Sequence, residues 1–364
     1  MNFSLVSIVA CSSGRSSKEV QNGIHLTVLE GFEIDIFAEV ENVRAMCLGE
    51  KGTIFAGSRG AGKVFAILDS DGDHKADEVI EIDQNLNMPV GVAFKDGDLY
   101  VSAVHEILKY EEIENRLKSP PEPIVVYNDF PKNELHGWKF IDFGPDDNLY
   151  VSVGAPCNIC KKDNDIFATI MKLDLVTGEL EHFCKGVRNS VGFDWHPITK
   201  ELWFTDNGRD WMGDDKPPCE LNRAHKQGLH FGYPFCHSYI SDPKFGKGVN
   251  CDDFEMPALN FEAHVAPLGM CFYTGDMFPP EYKNQIFVAL HGSWNRSTKI
   301  GYEVVKITVE DNTNVVSSES FVSGFENSGE VYGRPVDVLE LKDASLLISD
   351  DYAGLIYRVT YQKP

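Results

Sequence analysis

Short apolar stretches broken by tight polar turns recur along the chain. In each of them an apolar strand leads into a turn, and the turn leads into a second strand centred on an aromatic or aliphatic residue. The turns carry Lys-Gly, Asp-Gly, Pro-Asp-Asp and Lys-Asp, which are typical of tight reversals between antiparallel strands. Six segments have this form: Arg44–Phe55, Val90–Tyr100, His136–Tyr150, Arg188–Trp203, Pro267–Phe287 and Arg334–Leu347.

This repeat predicts the fold class. Helical periodicity is nearly absent, and the hairpins lie about 45 to 85 residues apart. Outer strands are less distinct, for example at 63–68, 170–174 and 303–308. We therefore predict an all-β fold, a six-bladed β-propeller with four-stranded antiparallel blades around a channel. A β-sandwich, the alternative, would not repeat one hairpin signature six times.

The hairpin ends that meet at one mouth of this channel are rich in arginine and histidine. In a propeller, residues just before the first strand of each blade and just after its second strand converge on the same mouth. The residues just before the first strands are Arg44, Met88, His136, Arg188, Asn189, His264 and Arg334. The residues just after the second strands are Ser58, Arg59, His105, 154–157, 207–209, 291–296, Asp350 and Asp351. Guanidinium groups bind carboxylates or phosphates in paired contacts, and acidic partners are sparse at these ends, so we expect a bound anion.

The net charge of the whole chain has the opposite sign. With 33 Lys and Arg against 56 Asp and Glu, the 364 residues carry a formal charge of −23. A protein this acidic is repelled by nucleic acid unless a basic face is segregated, and no basic run occurs. The sequence therefore excludes a nucleic-acid partner. Acidic residues dominate outer turns such as 69–81, which leaves the predicted mouth locally cationic.

The start of the chain resembles an export signal. Residues 3–10 are a short apolar stretch ending at Cys11, and Ile8-Val9-Ala10-Cys11 resembles a bacterial lipobox, although no Lys or Arg precedes it. We expect a signal or lipoprotein-like segment and polar linker over residues 1–22, with a lipid anchor at Cys11. The alternative is an irregular terminus. A single propeller domain is expected over residues 23–364.

The cysteine count agrees with export. Apart from Cys11, eight cysteines remain, an even number that suits an oxidising compartment. A local disulfide is the preferred interpretation of Cys157 and Cys160, because no second Cys-x-x-Cys completes a zinc site. Cys236 and Cys251 can pair in the same way. We therefore expect the protein in the periplasm or on the outer surface.

Five ordered motifs carry a family resemblance. They are Leu135–Lys139, Gly186–Ser190, His230–Pro234, His264–Gly269 and His291–Arg296. Together they resemble the sorbosone and soluble glucose dehydrogenase family, six-bladed quinoproteins that use pyrroloquinoline quinone and calcium. The Trp-Asn-Arg segment and the Pro-Cys-x-x-Cys loop are closer to the sorbosone-type branch than to the glucose-type branch. The resemblance covers about residues 31–361, nearly the whole chain.

The cofactor that this resemblance implies matches the cationic mouth. Pyrroloquinoline quinone is a flat tricarboxylate, so guanidinium groups around its edge and an aromatic ring over its face form the expected cradle. The residues expected to bind it are Arg59, Arg188, Asn189, His264, Trp294, Asn295, Arg296 and Arg334.

Two residues are expected to act in catalysis. Oxidation of a sugar hydroxyl requires a base that takes the O–H proton while hydride leaves the carbon, and a neutral imidazole serves near pH 7. The resemblance assigns this role to His136; the alternative is a histidine that only hydrogen-bonds at a strand end. It also places Arg188 near the quinone carbonyl, where positive charge stabilises the reduced cofactor.

Calcium has two expected places. The resemblance implies an ion held by backbone carbonyls at Gly208 and Arg209, although glucose-type enzymes carry proline where Arg209 stands. The second place follows from oxygen ligands at positions 1, 3, 5 and 9 of a short loop, which suit a hard cation. Its ligands are Asp69, Asp71, Asp73 and Asp77. This loop lacks the twelfth-position glutamate of an EF-hand, and the alternative is a solvated acidic turn.

The hypothesis is thus a quinoprotein oxidoreductase acting on a sugar, an aldose or a sugar-derived aldehyde. No haem-attachment Cys-x-x-Cys-His occurs, so electrons are expected to pass to an external acceptor, a cytochrome or a quinone. One rival is a calcium-dependent lactonase or esterase, whose site needs converging acidic side chains rather than arginine and histidine. The other is a non-catalytic propeller that serves as a binding platform.

Overall fold

Six four-stranded sheets are arranged as the blades of a propeller around a central channel. The structure is a computed structural model that describes residues 14–21 and 24–362. Blades 1 to 6 are numbered here in chain order, and the first strand of each is its inner strand. Consecutive strands of a blade pair antiparallel, and the inner strands of most neighbouring blades pack on one another along the channel. The predicted all-β, six-bladed propeller is confirmed.

The strands of the blades have the following bounds. Blade 1 consists of Val43–Leu48, Ile54–Ser58, Val64–Leu68 and Glu78–Asp83, and blade 2 of Val92–Lys95, Asp98–Ser102, Ile107–Tyr110 and Ile124–Tyr127. Blade 3 consists of Ile141–Phe143, Leu149–Val153, Thr169–Leu173 and Leu180–Lys185, and blade 4 of Phe193–Trp195, Leu202–Asp206, Cys219–Ala224 and Leu259–Phe261. Blade 5 consists of Pro267–Phe272, Ile286–Leu290, Glu303–Glu310 and Asn314–Ser323, and blade 6 of Pro335–Glu340, Leu346–Asp350, Leu355–Tyr361 and Phe32–Glu39.

Blade 6 closes the ring, because its fourth strand, Phe32–Glu39, comes from the beginning of the domain. The strands Ile24–Leu29 and Arg15–Gln21 extend the outer edge of blade 5. The described part of residues 1–22 is therefore mainly a strand. Cys11, the expected lipid anchor, lies outside the described residues.

Smaller elements lie in the loops. Leu229–His230 adds a parallel strand to blade 3, and the remaining short strands and 3₁₀ helices are Cys236–His237, Ile240–Ser241, Glu326–Asn327, Glu330–Val331, Ile113–Asn115, Cys251–Asp253 and Pro280–Tyr282. Within the described residues, no helix has the length and apolar character needed to cross a membrane.

Both predicted disulfides, Cys157–Cys160 and Cys236–Cys251, are formed. Four of the other cysteines are free thiols, namely Cys47, Cys184, Cys219 and Cys271.

Large aromatic residues fill the space between blades. Tyr100, Tyr150, Trp203 and Phe287, which lie in the second strands, are all buried. Two residues further along each second strand the side chain is small, where the chain has Gly57, Ser102, Ser152, Thr205, Ala289 and Ser349. Burial of the large residues supplies the apolar contribution to stability, while the small ones allow close approach to the next blade.

Three of the four hydroxyl groups at this small position bind the next blade, whereas Ser152 bonds to Phe140 of its own blade. Ser102 donates to the carbonyl of Lys139 at 2.9 Å, Thr205 to Leu268 at 2.6 Å and Ser349 to Arg44 at 2.7 Å. In blade 1 a Cβ on Gly57 would lie 2.3 Å from the carbonyl oxygens of Pro89 and Val90, so no larger residue fits without displacing blade 2. These contacts position the starts of the inner strands of blades 1, 2, 3 and 5.

Buried carboxylates link inner strands towards the other end of the channel. Asp194 of blade 4 accepts a hydrogen bond from the backbone N–H of Phe272 in blade 5 at 2.7 Å, and Asp337 of blade 6 accepts one from Met46 in blade 1 at 2.8 Å. Burial raises the pKa of Asp194 to about 6 and that of Asp337 to about 7. The second oxygen of each accepts a backbone N–H in its own strand, so these groups act as links between blades.

Candidate functional site

Two buried carboxylates fix the arginine-bearing starts of blades 4 and 6 at one channel mouth. Asp206, at the end of the second strand of blade 4, accepts hydrogen bonds from the backbone N–H groups of Arg188 (2.7 Å) and Asn189 (2.6 Å). Asp350 holds the same place in blade 6 and accepts the backbone N–H of Arg334 at 2.9 Å. Burial raises the pKa of both carboxyls. The backbone of each arginine is thus held by its own blade.

A cavity of about 240 Å³ lies at this mouth, slightly smaller than most small-molecule pockets. Eight residues expected from the sequence line it: Arg59, His136, Arg188, Asn189, Gly208, His264, Trp294 and Arg334. Four arginines line the cavity when Arg44 is included, against a single carboxylate, Asp210. The cavity is therefore cationic in a strongly acidic chain.

His136 presents a free ring nitrogen at the cavity. Its backbone is left-handed, with φ 52°, and its Nδ1 lies 2.7 Å from the carbonyl oxygen of Ala155. Since a carbonyl only accepts, Nδ1 carries the proton and Nε2 keeps its lone pair. Burial, together with the positive charges of Arg188 and Arg59, lowers the pKa of His136 to about 3. The hydrogen bond to Ala155 acts in the opposite direction but is outweighed. The imidazole is therefore neutral at neutral pH.

Arg188 is buried and held by oxygen atoms that carry no full charge. Its Nε and Nη2 donate to the backbone and side-chain oxygens of Asn158 at 2.9 and 3.0 Å, and Nη1 donates to the carbonyl of Asn207 at 3.0 Å. The nearest carboxylate oxygen, from Asp210, is 3.8 Å away. Burial lowers the pKa of Arg188 below its ordinary value, but an arginine stays charged. Its charge is thus only partly compensated.

Arg334 is held in the same way. Its Nε and Nη2 donate to the carbonyls of His291 and Gly292 at 3.0 and 2.7 Å, and it lies over the ring of Tyr302. Because these partners carry no full charge, the guanidinium of Arg334 contributes a net positive charge at the cavity.

A third arginine, Arg44, does have an acidic partner. Its Nη1 lies 2.7 Å from Asp351, whose other carboxylate oxygen lies 2.8 Å from Nε2 of His291. The Nε of Arg44 is buried and makes no hydrogen bond with any residue in the described part of the chain. Burial lowers the pKa of His291 to about 4, more than Asp351 raises it, so this ring is neutral as well.

Aromatic rings surround the opening. The guanidinium of Arg59 stacks on Trp138 at 4.0 Å, and the indole N–H of Trp138 is buried without a partner among residues 14–21 and 24–362. Trp294 is 67% exposed and packs edge to face on the equally exposed Trp211 at 5.7 Å. The unpaired Arg44 Nε and Trp138 Nε1 are donors that a ligand with several acceptor oxygens would satisfy.

Three of the expected residues lie elsewhere. Arg296 donates to the carbonyl of Asp214 at 2.7 Å and pairs with Asp215 at 3.1 Å, and neither it nor Asn295 lines the cavity. The side chain of Arg209 is turned away to Asp242, 2.7 Å distant. These pairs correct the expectation that acidic partners are sparse near the mouth, because the partners come from neighbouring loops.

His264 faces the cavity, but its ring is engaged on one side. Its Nε2 lies 2.8 Å from the carbonyl of Gly213, and its Nδ1 is 3.8 Å from Asp210. His264 thus joins the loop at 207–218 to the start of blade 5.

Gly208 meets the requirement for a carbonyl ligand. It lines the cavity, and the carbonyls of Gly208 and Arg209 accept no hydrogen bond from any residue that the structure describes. Because the guanidinium of Arg209 pairs with Asp242, its charge is compensated there.

The acidic loop lies on the outer part of blade 1, between its third and fourth strands. Oxygen atoms of Asp69, Asp71 and Asp77 lie within 4.8 Å of one another, whereas Asp73 is not part of this group. Asp69 accepts the backbone N–H groups of Gly72 (2.8 Å) and His74 (3.0 Å). The cluster is exposed, and it lies at the end of blade 1 opposite the channel mouth, because the third strand, Val64–Leu68, runs away from Arg59.

Several residues of the cavity were not assigned a role from the sequence. Arg44 and His291 were recognised only as residues at the mouth. The available signal was that Arg44 stands at the start of its blade, as Arg188 and Arg334 do, and that His291 follows the second strand of blade 5. Trp138, Asn158, Asp210 and Asp351 act through contacts with distant parts of the chain. No spacing pattern in the sequence indicates such contacts.

The fold and this cavity define the class of the protein, a six-bladed propeller with a cationic cavity at its central channel. The chain belongs to the TrAA12-like family, whose model matches residues 26–252 and 247–360. It is 36% identical over 363 residues to an uncharacterized protein of Borreliella burgdorferi, covering 93% of this chain and 91% of that protein.

Solved structures share the fold. A Trichoderma reesei protein of the carbohydrate-active enzyme family AA12 superposes with a TM-score of 0.80 at 20% identity, over 95% of this chain and 100% of that one. The pyrroloquinoline quinone domain of pyranose dehydrogenase from Coprinopsis cinerea also gives a TM-score of 0.80, at 16% identity, over 93% of this chain and 98% of that one. At these identities the likeness demonstrates the fold.

We predict that an anion in this cavity raises the pKa of His136. Negative charge near Arg59 and Arg188 offsets the repulsion that disfavours the imidazolium, and such an effect is worth a pKa change of about 1 or more. The pKa can be followed by NMR of the imidazole with and without pyrroloquinoline quinone, with His136→Gln to identify the signal. An unchanged titration at saturating ligand would contradict the prediction.

Proposed function

We propose that the protein is a quinoprotein oxidoreductase that oxidises a sugar, an aldose or a sugar-derived aldehyde. The observation that carries the proposal is the pairing, in one cavity, of four arginines with a neutral histidine whose Nε2 is free. Membership of the TrAA12-like family and the likeness to the pyranose dehydrogenase domain support it.

The cavity suits pyrroloquinoline quinone. Arg44, Arg188 and Arg334 offer guanidinium groups to its carboxylates, and Trp138 and Trp294 offer aromatic surface. When bound, this cofactor supplies a two-electron acceptor for the hydride that leaves the substrate carbon. The arginines of the chain would hold and orient the anion, and the charge of Arg188 and Arg334, which is not fully compensated, would stabilise negative charge near it.

His136 is proposed as the base. The Ala155 carbonyl fixes its tautomer, so Nε2 accepts the proton of the substrate hydroxyl. Arg188 lies near enough to lower the pKa of His136, which places the positive charge and the base side by side.

Finer features belong to the same proposal. The substrate would be of the sorbosone type, as the Trp-Asn-Arg segment suggests, and the exposed Trp211–Trp294 pair would recognise it. An external cytochrome or quinone would receive the electrons.

Export to the periplasm or outer surface, with a lipid anchor at Cys11, is supported by the two disulfides. Recovery of the chain from the cytoplasm with Cys11 unmodified would contradict export.

The rival functions are less well supported. A calcium-dependent lactonase needs several acidic ligands, and among the lining residues that the structure describes only Asp210 offers a carboxylate to the cavity. A non-catalytic binding platform does not require a neutral histidine with a fixed tautomer beside buried arginines.

We predict that His136→Ala lowers kcat by about 10²–10⁴-fold, because the substrate proton loses its acceptor. The assay is dye-linked sugar oxidation after reconstitution with pyrroloquinoline quinone and calcium. Quinone affinity should stay within a few-fold of the wild type. His225→Ala, which changes a histidine outside the cavity, is the matched control. Full activity of His136→Ala would refute the base assignment, and absence of quinone binding by the wild type at micromolar concentration would refute the proposal itself.

Calcium is proposed at both expected places. One ion would be held at the cavity by the carbonyls of Gly208 and Arg209, and a structural ion by Asp69, Asp71 and Asp77, with Asp73 as a nearby acidic group. The free carbonyls and the convergence of the three carboxylates support these assignments.

We predict that calcium stabilises the fold through the acidic loop. Saturation at 100-fold over Kd is worth about 2.7 kcal/mol, so the Tm should rise on addition of calcium to chelator-treated protein. Asp71→Asn should lose most of this rise, whereas Asp73→Asn, outside the cluster, should retain it. Equal Tm values of wild type with calcium and with chelator would count against the loop site.

A further inference from the structure

The segment that follows the second strand of blade 3 is closed into a short turn by a disulfide. It runs from Ala155 to Cys160, and the Cys157–Cys160 bridge joins residues three apart. No strand or helix forms between Val153 and Thr169, so regular backbone hydrogen bonding does not fix this part of the chain. We call residues 155–160 the disulfide turn.

The first residue of the disulfide turn contacts both residues of the proposed chemistry. The carbonyl of Ala155 accepts the Nδ1–H of His136 at 2.7 Å, and its N–H donates to the carbonyl of Arg188 at 2.8 Å. Ala155 is buried, so water does not compete for these bonds. The tautomer of His136 and the backbone of Arg188 are therefore fixed by one residue of the turn.

Asn158, between the two cysteines, holds the guanidinium of Arg188. Its backbone oxygen accepts from Nε at 2.9 Å, and its Oδ1 accepts from Nη2 at 3.0 Å. The Asn158 side chain also exchanges two hydrogen bonds with the backbone of Asp210, at 2.8 and 3.0 Å. Asn158 thus joins Arg188 to the loop that carries Asp210, and it uses both its acceptor and its donor to do so.

The far end of the turn is anchored as well. The hydroxyl of Tyr233 accepts the backbone N–H of Cys160 at 3.0 Å and lies 3.6 Å from the sulfur of Cys157. Tyr233 is buried and packs with Ala155. Between these anchors, the disulfide limits the conformations open to Asn158.

We propose that the disulfide turn is the positioning element of the site, with Asn158 as a positioning residue that holds Arg188 and Ala155 as the residue that holds His136. Only the expected effect on turnover rests on the proposed function, because the contacts of the disulfide turn with His136 and Arg188 do not depend on it. The disulfide turn is proposed to act indirectly. Asn158 acts through Arg188, and the disulfide acts through Asn158 and Ala155. Its loss should lower turnover more than it lowers affinity for substrate.

The kinetic test uses Asn158→Ala and the double variant Cys157→Ala/Cys160→Ala in the full chain. Each should lower kcat by about 10–100-fold, as loss of supporting hydrogen bonds does at other sites, with a much smaller change in KM. Asn158→Asp keeps an acceptor for Arg188 but loses the Nδ2 donor, so it should recover part of the activity lost in Asn158→Ala. Cys236→Ala/Cys251→Ala removes the other disulfide and should leave kcat and KM unchanged.

A second readout does not depend on the cofactor. In protein without quinone, NMR should show slow hydrogen exchange at the Arg188 Nε–H and a single Nδ1-protonated tautomer of His136. Both features should be lost in the double variant and kept in the Cys236→Ala/Cys251→Ala control. Asn158→Ala should show faster exchange at Arg188.

The outcomes separate the two claims. Unchanged kcat together with unchanged Arg188 exchange and His136 tautomer would overturn the positioning role. If the wild type neither binds the quinone nor oxidises sugars, the proposed function fails, and the NMR readouts still decide the positioning role. Should the double variant not fold, Asn158→Ala and Asn158→Asp decide it alone.

Discussion

A close contact from the second strand of one blade to the start of the next places four of the six blade starts, those of blades 1, 2, 3 and 5. Ser102, Thr205 and Ser349 each donate to a carbonyl of the following blade, and Gly57 makes an equally close approach without a side chain. Because these contacts allow only small residues, they fix the separation of neighbouring inner strands. The residues that begin those strands are then brought to one mouth.

The charge of the cavity follows from how its arginines are held. Arg188 and Arg334 donate mainly to carbonyl and amide oxygens, while Asp206 and Asp350 are engaged by backbone N–H groups. The carboxylates thus organise the backbone without neutralising these two guanidinium groups. A chain with a net charge of −23 can therefore present a cationic cavity, since its acidic residues lie mostly elsewhere.

The repeat in the sequence was sufficient for the fold and for much of the site, because hairpin turns and strand centres are local features. It located His136, Arg188 and Arg334, which stand at equivalent places in their blades. It did not predict the orientation of Arg296 and Arg209, whose side chains turn to Asp215 and Asp242. Those partners come from other loops, and loop contacts of this kind depend on the completed fold.

The roles of Asn158 and Asp351 were missed for the same reason. Asn158 contacts Arg188, 30 residues away, and Asp351 contacts Arg44, 307 residues away. A Cys-x-x-Cys pair indicated a local disulfide, but nothing in the spacing indicated that the residues it encloses support His136 and Arg188. Only the ring closure of the propeller places Asp351 beside the first blade.

The central claim is that the cationic cavity binds pyrroloquinoline quinone. The most direct measurement is a crystal structure of the protein grown with the quinone and calcium. We predict density for the cofactor in the cavity, in contact with Arg44, Arg188 and Arg334 and within reach of His136. A cavity without the quinone, or quinone bound only at another surface, would contradict the account.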